Sequence, residues 1–183
     1  MVFIYIIIFF LFYFFALLQN SFFAHFSFFG AVPNLVFILF FLLVFFERPR
    51  GYPEEYYKII FYAISAGLFL DLFSYTYFGV SIAMLLLVGF LAKKLQSLFQ
   101  EKKNNEFPFI YFPPLFFVSF AVYDLLFKFF LDKFSLPQMI LSFNLHFLFE
   151  LGYNLFVAGI VFYIYKRFLK PNTDNRQLKL FTK

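Results

Sequence analysis

The chain contains no cysteine and no tryptophan among its 183 residues, and only 14% of its residues are charged. Without cysteine there is no disulfide, no thiolate metal site and no cysteine nucleophile. A soluble domain carries about 25% charged residues, so the low charge argues against that class. Instead, 63% of the residues are hydrophobic. This composition indicates an integral membrane protein.

Long apolar runs divide the chain into six predicted transmembrane helices. At about 20 residues per crossing, a chain of this length has room for six spans and short loops. The predicted spans are residues 2–18, 33–46, 59–74, 79–95, 113–131 and 143–165. They predict one all-α transmembrane domain over residues 1–170, followed by a polar, flexible tail at residues 171–183.

Lysine and arginine lie almost entirely on one side of this topology. The positive-inside rule then places both termini in the cytoplasm, together with the loops near residues 50 and 100. The basic residues near the second loop are Lys93, Lys94, Lys102 and Lys103. One interpretation is that they contact anionic lipid or a cytoplasmic filament; the other is that they only set the orientation of the chain in the membrane. The net charge of +5 does not indicate nucleic-acid binding, because that requires a basic patch on a folded face.

Asp71 is a carboxylate inside the third predicted span. At helical spacing it shares one side of the helix with Ala63, Gly67 and Ser74, a stripe of small residues along which another helix can approach. An ionised side chain facing lipid would cost about 3 kcal/mol or more, so we expect Asp71 to face protein. The alternative is that Asp71 reaches interfacial water near the outer end of its helix.

Further polar residues lie in the last two spans, namely Asp124, Lys128, Asn144, His146, Glu150 and Asn154. Asp124 and Lys128 are four residues apart on one helix face and form, in the simpler interpretation, a self-neutralising pair. In a second interpretation, Lys128 is shared among Asp124, Glu150 and Asp71, and with Asn154 these residues form a buried polar network that fixes helix assembly. A proton relay through the three acids is a further, unspecific possibility.

Motifs for catalysis are missing from the sequence. We find no glycine-rich phosphate loop, no His-Glu-x-x-His and no serine elbow. The two histidines, His25 and His146, are too few for a metal site. We therefore expect a protein without enzymatic activity, cofactor or metal.

Four short motifs occur in a fixed order: Gln19-Asn20-Ser21 at the end of the first span, Pro33-Asn34-Leu35 opening the second, Gly67 to Asp71 in the third, and Phe78-Gly79 before the fourth. In order and spacing they resemble the bacterial rod shape-determining MreD family, best from about residue 15 to 95. That family often has Asp at position 34 and Leu at position 78. A carboxylate role at the start of the second span therefore does not transfer.

The resemblance implies a non-enzymatic scaffold of the bacterial inner membrane that serves cell-wall elongation and rod shape. Its implied partners are membrane lipid and an MreC-like single-span protein, and through it MreB filaments, the RodA glycosyltransferase and its penicillin-binding protein. The implied fold is similar to the substrate-binding subunits of energy-coupling-factor transporters. The residues predicted for helix or partner interfaces are Gly67, Asp71, Ser74, Pro33, Asn34 and Gly79.

That fold similarity defines the alternative function, a membrane subunit that captures a vitamin or another small solute for a transporter. Its solute site would need several convergent polar side chains in a cavity. The few polar residues of this chain are scattered among phenylalanines. A structural membrane protein of unrelated kind is the third possibility.

Overall fold

A computed structural model describes residues 2–27, 30–47, 53–73, 77–100, 108–131 and 145–168 of the chain. These residues form a short 3-10 turn at Phe23–His25 and six α-helices: α1 Val2–Ser21, α2 Leu35–Phe46, α3 Pro53–Phe73, α4 Val80–Gln100, α5 Pro108–Leu131 and α6 Leu145–Phe168. All of the helices except α2 are long and apolar enough to cross a membrane. The prediction of an all-α, multi-pass membrane protein is therefore confirmed at this level.

Contacts between helix ends show that α1, α2 and α3 run in alternating directions. Gln19, near the end of α1, accepts a hydrogen bond from the second residue of α2. Glu47, directly after α2, forms an ion pair with Lys58 in the second turn of α3. The order continues into the next hairpin, where Asp71 near the end of α3 bonds to the start of α4.

The last two helices continue this alternation. Phe45 near the end of α2 packs against Phe112 in the first half of α5 and against Phe162 in the second half of α6. Phe37 near the start of α2 packs instead against Tyr123, further along α5. Thus α5 runs antiparallel to α2, and α6 runs parallel to it.

The central helix of the bundle is α2. Nine of its twelve residues are buried. Around it, α1 packs on α3, α3 on α4, α4 on α5 and α5 on α6, while α2 contacts α1, α3, α4 and α6. The core is therefore built around the shortest helix, with phenylalanine rings of α2 and α5 interleaved at its centre.

The length of α2 does not match the membrane. Twelve residues at 1.5 Å each extend about 18 Å, against a hydrocarbon core of about 30 Å. The other five helices have 20 to 24 residues and are long enough. One or both ends of α2 must consequently lie at a depth where water is scarce.

Three helix ends differ from the predicted bounds by five residues or more. α3 begins at Pro53 rather than at residue 59, because proline fits the first turn of a helix, where its missing N–H removes no bond. α5 begins at Pro108, so Pro113 and Pro114 lie inside the helix instead of opening it. Membrane helices tolerate such prolines where neighbouring groups satisfy the freed carbonyls. α4 continues to Gln100, well past residue 95.

The longer α4 changes the assignment of the basic residues predicted near its end. Lys93 and Lys94 belong to the helix and not to a loop. Lys102, Lys103 and the predicted tail at residues 171–183 lie outside the described residues.

Candidate functional site

Buried polar side chains are the places where chemistry or recognition could occur in this apolar bundle. In the described part of the chain they are Ser65, Asp71, Ser81, Lys93, Gln96, Ser119, Asp124 and Asn154. Several of them bond to the ends of helices. We describe two groups at the ends of α2, a cap on α4, and an ion pair on α5.

The amino-end cluster consists of Gln19, Asn34 and Asn154, which surround the start of α2. Asn34 is the helix cap, since its Oδ1 accepts a hydrogen bond from the N–H of Phe37 at 2.9 Å. The N–H of Asn34 donates to Oδ1 of Asn154 in α6 at 2.7 Å. Gln19 in α1 accepts from the N–H of Val36 at 3.4 Å.

These bonds close the start of α2. The first N–H groups of a helix have no partner within the helix and must find one elsewhere. Here every N–H from residue 34 to residue 38 has an acceptor, either one of the three side chains or a carbonyl of residues 33 and 34. The helix can therefore begin where water is scarce.

The carboxyl-end cluster consists of Glu47, Lys93 and Gln96, at the other end of α2. Nε2 of Gln96 donates to the carbonyl of Phe45 at 2.9 Å. The Lys93 ammonium donates to the carbonyl of Glu47 and, at 3.2 Å, to Oε1 of Gln96. A cation at this position also interacts favourably with the negative end of the helix dipole.

Both α4 side chains of this cluster are nearly inaccessible, with Lys93 only 6% exposed. Lys93 is thus bound to α2 of its own chain, which removes it from the basic residues available to anionic lipid or a filament. Lys94, its neighbour, is exposed. Of these two adjacent lysines, Lys93 is therefore buried and bonds to the end of α2, whereas Lys94 is accessible at the surface.

The carboxylate of Glu47 is held by α3. Lys58 lies 3.0 Å from its Oε2, and the hydroxyl of Tyr62 donates to its Oε1 at 3.1 Å. The carboxyl-end cluster therefore ties α2 to α3 and α4 together. Sequence reasoning did not place these residues in a site, because Glu47 and Lys58 are in a stretch predicted as a loop.

Asp71 caps α4 from the neighbouring helix. Its Oδ2 accepts from the N–H of Gly79 at 2.6 Å, and its Oδ1 accepts from the N–H of Ser81 at 3.0 Å. Gly79 has a positive φ of 94°, which glycine adopts without strain. A carboxylate at a helix start is also favoured by the helix dipole. At 5% exposure, Asp71 faces protein, and that protein is α4 of the same chain.

Gly67 lies one turn before Asp71, at a close approach of α3 to α4. A Cβ added to it would lie 2.6 Å from both the N and the Cα of Ile82. Ala63, one turn earlier, is fully buried. At Gly67 and Asp71 this side of α3 therefore packs against α4 and the turn before it. Ser74 lies outside the described residues, and a role of the stripe in binding a partner stays a prediction.

Asp124 and Lys128 form an ion pair within α5. Nζ of Lys128 lies 2.6 Å from Oδ2 of Asp124, and it also lies over the ring of Phe147 in α6 at 5.3 Å from the centroid. This is the geometry of the self-neutralising pair. Asp71, the distant member of the proposed network, has backbone N–H groups as its partners.

Tyr123 of α5, which the sequence analysis does not single out, lies near two acids of the proposed network. Its phenol lies beside the side chain of Asn34 and close enough to Asp71 and Glu150 to interact electrostatically with both. The Glu150 carbonyl accepts from Nδ2 of Asn154 at 2.8 Å. Sharing of Lys128 among Asp124, Glu150 and Asp71 stays a prediction.

Comparisons of the chain with protein-family models, with curated proteins and with solved structures found no match. Within the described residues, no three His, Asp or Glu side chains lie together as a metal site would require.

Proposed function

We propose that this chain is a non-enzymatic scaffold subunit of the bacterial inner membrane, of the MreD kind, with both termini in the cytoplasm. It serves rod shape by associating with an MreC-like single-span protein and, through it, with the RodA glycosyltransferase, its penicillin-binding protein and MreB filaments. The observation that carries the proposal is the use of the buried polar side chains, which hold helix ends in place.

Catalysis and solute binding both need polar groups that converge on a ligand. In the described residues, the carboxylate of Asp71 accepts two backbone hydrogen bonds. The amide of Asn154 bonds two helices, and Gln96 bonds the end of α2. Groups used in this way set the positions of helices. When buried polar side chains hold helices in position, the outer surfaces of the helices are what remains for binding a partner.

The surfaces suited to a partner helix or lipid are on α1 and α6. Phe10 on α1 and Phe156 on α6 are 62% and 66% exposed. Gly152 and Gly159, seven residues apart on α6, have open space where a side chain would start. Small residues at such positions allow another membrane helix to approach closely. The predicted interface residues Gly67 and Asp71 would act on a partner through the α3–α4 hairpin that they hold together.

One observation favours the transporter alternative. Among the described residues, the hydroxyls of Ser81 and Ser119 are buried without a hydrogen bond that meets distance and angle criteria, although that of Ser81 lies beside the phenol of Tyr123. A polar solute that reached the Ser119 hydroxyl would satisfy it. In that case the chain would deliver a small polar molecule to ATPase modules.

Copurification from the native cells distinguishes the two functions. The tagged protein is extracted in a gentle detergent, and the proteins that accompany it are identified by mass spectrometry. A single-span protein with a large extracytoplasmic domain, together with peptidoglycan synthases, supports the scaffold. Paired ATPases with a coupling membrane subunit would refute it in favour of the transporter. A tagged membrane protein of similar size, extracted in parallel, controls for nonspecific association.

A variant series locates the interface. Gly159→Leu adds a bulky side chain in open space and leaves the core intact. Loss of the partner with this variant, at unchanged thermal stability, places the partner on α6. Retention of the partner would direct the search to α1 and to the α3–α4 hairpin.

A further inference from the structure

The short central helix α2 depends on other helices for its place in the membrane. An apolar stretch of 10 to 14 residues is more typical of a buried core helix or an interfacial segment than of an independent transmembrane helix. α2 has twelve residues. A helix end inside the hydrocarbon core finds no water, and unsatisfied backbone groups are strongly disfavoured there.

The groups that satisfy those ends come from far along the chain. At the start of α2, Asn34 bonds to Asn154 of α6, which is 120 residues away. At the end of α2, the carbonyls of Phe45 and Glu47 bond to Gln96 and Lys93 of α4, which are 51 and 46 residues away. Both α4 and α6 therefore have to be in position before α2 is fully bonded.

We propose that α2 is a latched helix, which keeps its buried position through side-chain latches from later helices: Asn154 of α6 at its start, and Lys93 with Gln96 of α4 at its end. Without a latch, the corresponding end of α2 moves to where water can bond its backbone. The proposal concerns the assembly of the bundle and holds whether the protein is a scaffold or a transporter subunit.

The apolar core alone does not fix this position. α2 is apolar on all sides, and Phe37, Phe41 and Phe45, one turn apart, each pack edge-to-face against a ring of α5 at similar distances. A shift of α2 by one turn would exchange one ring for the next. The latches are hydrogen bonds to particular backbone atoms of α2. They therefore determine at which depth the helix lies in the bundle.

The natural absence of cysteine allows a direct test in the full-length protein. Val36, in the first turn of α2, is fully buried, and so is Ala66 in α3. Val36→Cys reports on the start of α2, and Ala66→Cys reports on the rest of the bundle. Each is labelled in native membranes with a small water-soluble maleimide, which reacts only where water reaches the thiol.

The latch variant Asn154→Leu, at a fully buried position, is compared with Asn20→Leu at an exposed one. Both asparagines donate to the carbonyl four residues earlier at 2.8 Å, but only Asn154 also accepts a hydrogen bond from α2. Removing the partner of a buried N–H changes an equilibrium by a factor of about 5 to 150. We expect Asn154→Leu to raise the labelling rate of Val36→Cys by such a factor, and Asn20→Leu to leave it unchanged.

Two results overturn the proposal. The first is unchanged labelling of Val36→Cys in the Asn154→Leu variant. The second is an equal rise at Ala66→Cys, which means that the whole bundle opens and α2 is not latched separately. If Asn154→Leu does not accumulate in the membrane, Gln96→Leu is combined with a reporter at Val44, near the other end of α2. An unchanged rate there overturns the proposal as well.

Discussion

Alanine at position 67 tests the close packing of α3 on α4. The added Cβ would lie 2.6 Å from the N and the Cα of Ile82, and 2.7 Å from its Cγ1. Because two of these atoms belong to the backbone, no side-chain rotation relieves the overlap, and the two helices must move apart.

Overpacking of this kind costs about 1–3 kcal/mol, and a clash with backbone belongs at the upper end of that range. Alanine has a better helix propensity than glycine by about 1 kcal/mol, which offsets part of the loss. We therefore expect Gly67→Ala to lower the free energy of unfolding by about 2 kcal/mol.

Two other glycines complete a graded series. At Gly89 a Cβ would meet side-chain atoms only, Cγ2 of Ile59 at 2.8 Å and Cζ of Phe40 at 3.0 Å. Side chains can adjust, so Gly89→Ala should lose less than about 1 kcal/mol net. At Gly159 nothing lies within 4 Å of the added atom, so Gly159→Ala should be neutral or slightly stabilising.

The assay is unfolding by sodium dodecyl sulfate in mixed micelles, followed by circular dichroism. Equal midpoints for Gly67→Ala and Gly159→Ala would refute the close approach of α3 to α4. If the stability of Gly67→Ala is unchanged while the partner no longer copurifies, Gly67 contacts the partner directly.

Four further predictions use the same unfolding assay. Asp71→Asn should destabilise by about 1–3 kcal/mol, because one backbone N–H of α4 then faces an amide donor instead of an acceptor; an unchanged midpoint would contradict the cap. Lys128→Met and Asp124→Asn should each destabilise more than the double variant, because each alone leaves an unpaired group. If the two sites are independent, the losses in unfolding free energy of Lys128→Met and Asp71→Asn should add to within about 0.5 kcal/mol in the double variant. A larger deviation from additivity would support the shared polar network. Lys93→Met should destabilise by about 1–3 kcal/mol, whereas Lys94→Met, which removes the same charge from an exposed position, should not; equal effects would refute the latch at the end of α2.

Several parts of this architecture follow from local features of the sequence. The apolar runs predict the helices to within a few residues, except where proline opens α3 and lies inside α5. The small residues Ala63 and Gly67 predict a close helix contact beside Asp71, because they fall on one side of a helix. Their spacing does not tell whether the approaching helix belongs to this chain or to a partner, since both would use the same surface.

Lys93 shows why other parts could not be predicted. Next to Lys94, and followed by a polar segment, it has the pattern of an exposed loop cation. Its position in the core depends on the end of α2 lying against α4, and that is a contact between residues about 50 positions apart. No local pattern carries such information.

Composition and the length of the apolar runs are enough to indicate an all-α membrane protein, because an apolar run of about 20 residues crosses the hydrocarbon core as a helix, which satisfies its own backbone groups. Composition and run length do not show which group each polar side chain bonds to. The asparagine at position 154 and the aspartate at position 71 bond the starts of helices that lie elsewhere in the sequence. Those bonds form only when the helices pack, because tertiary packing decides which acceptor lies beside a given backbone N–H.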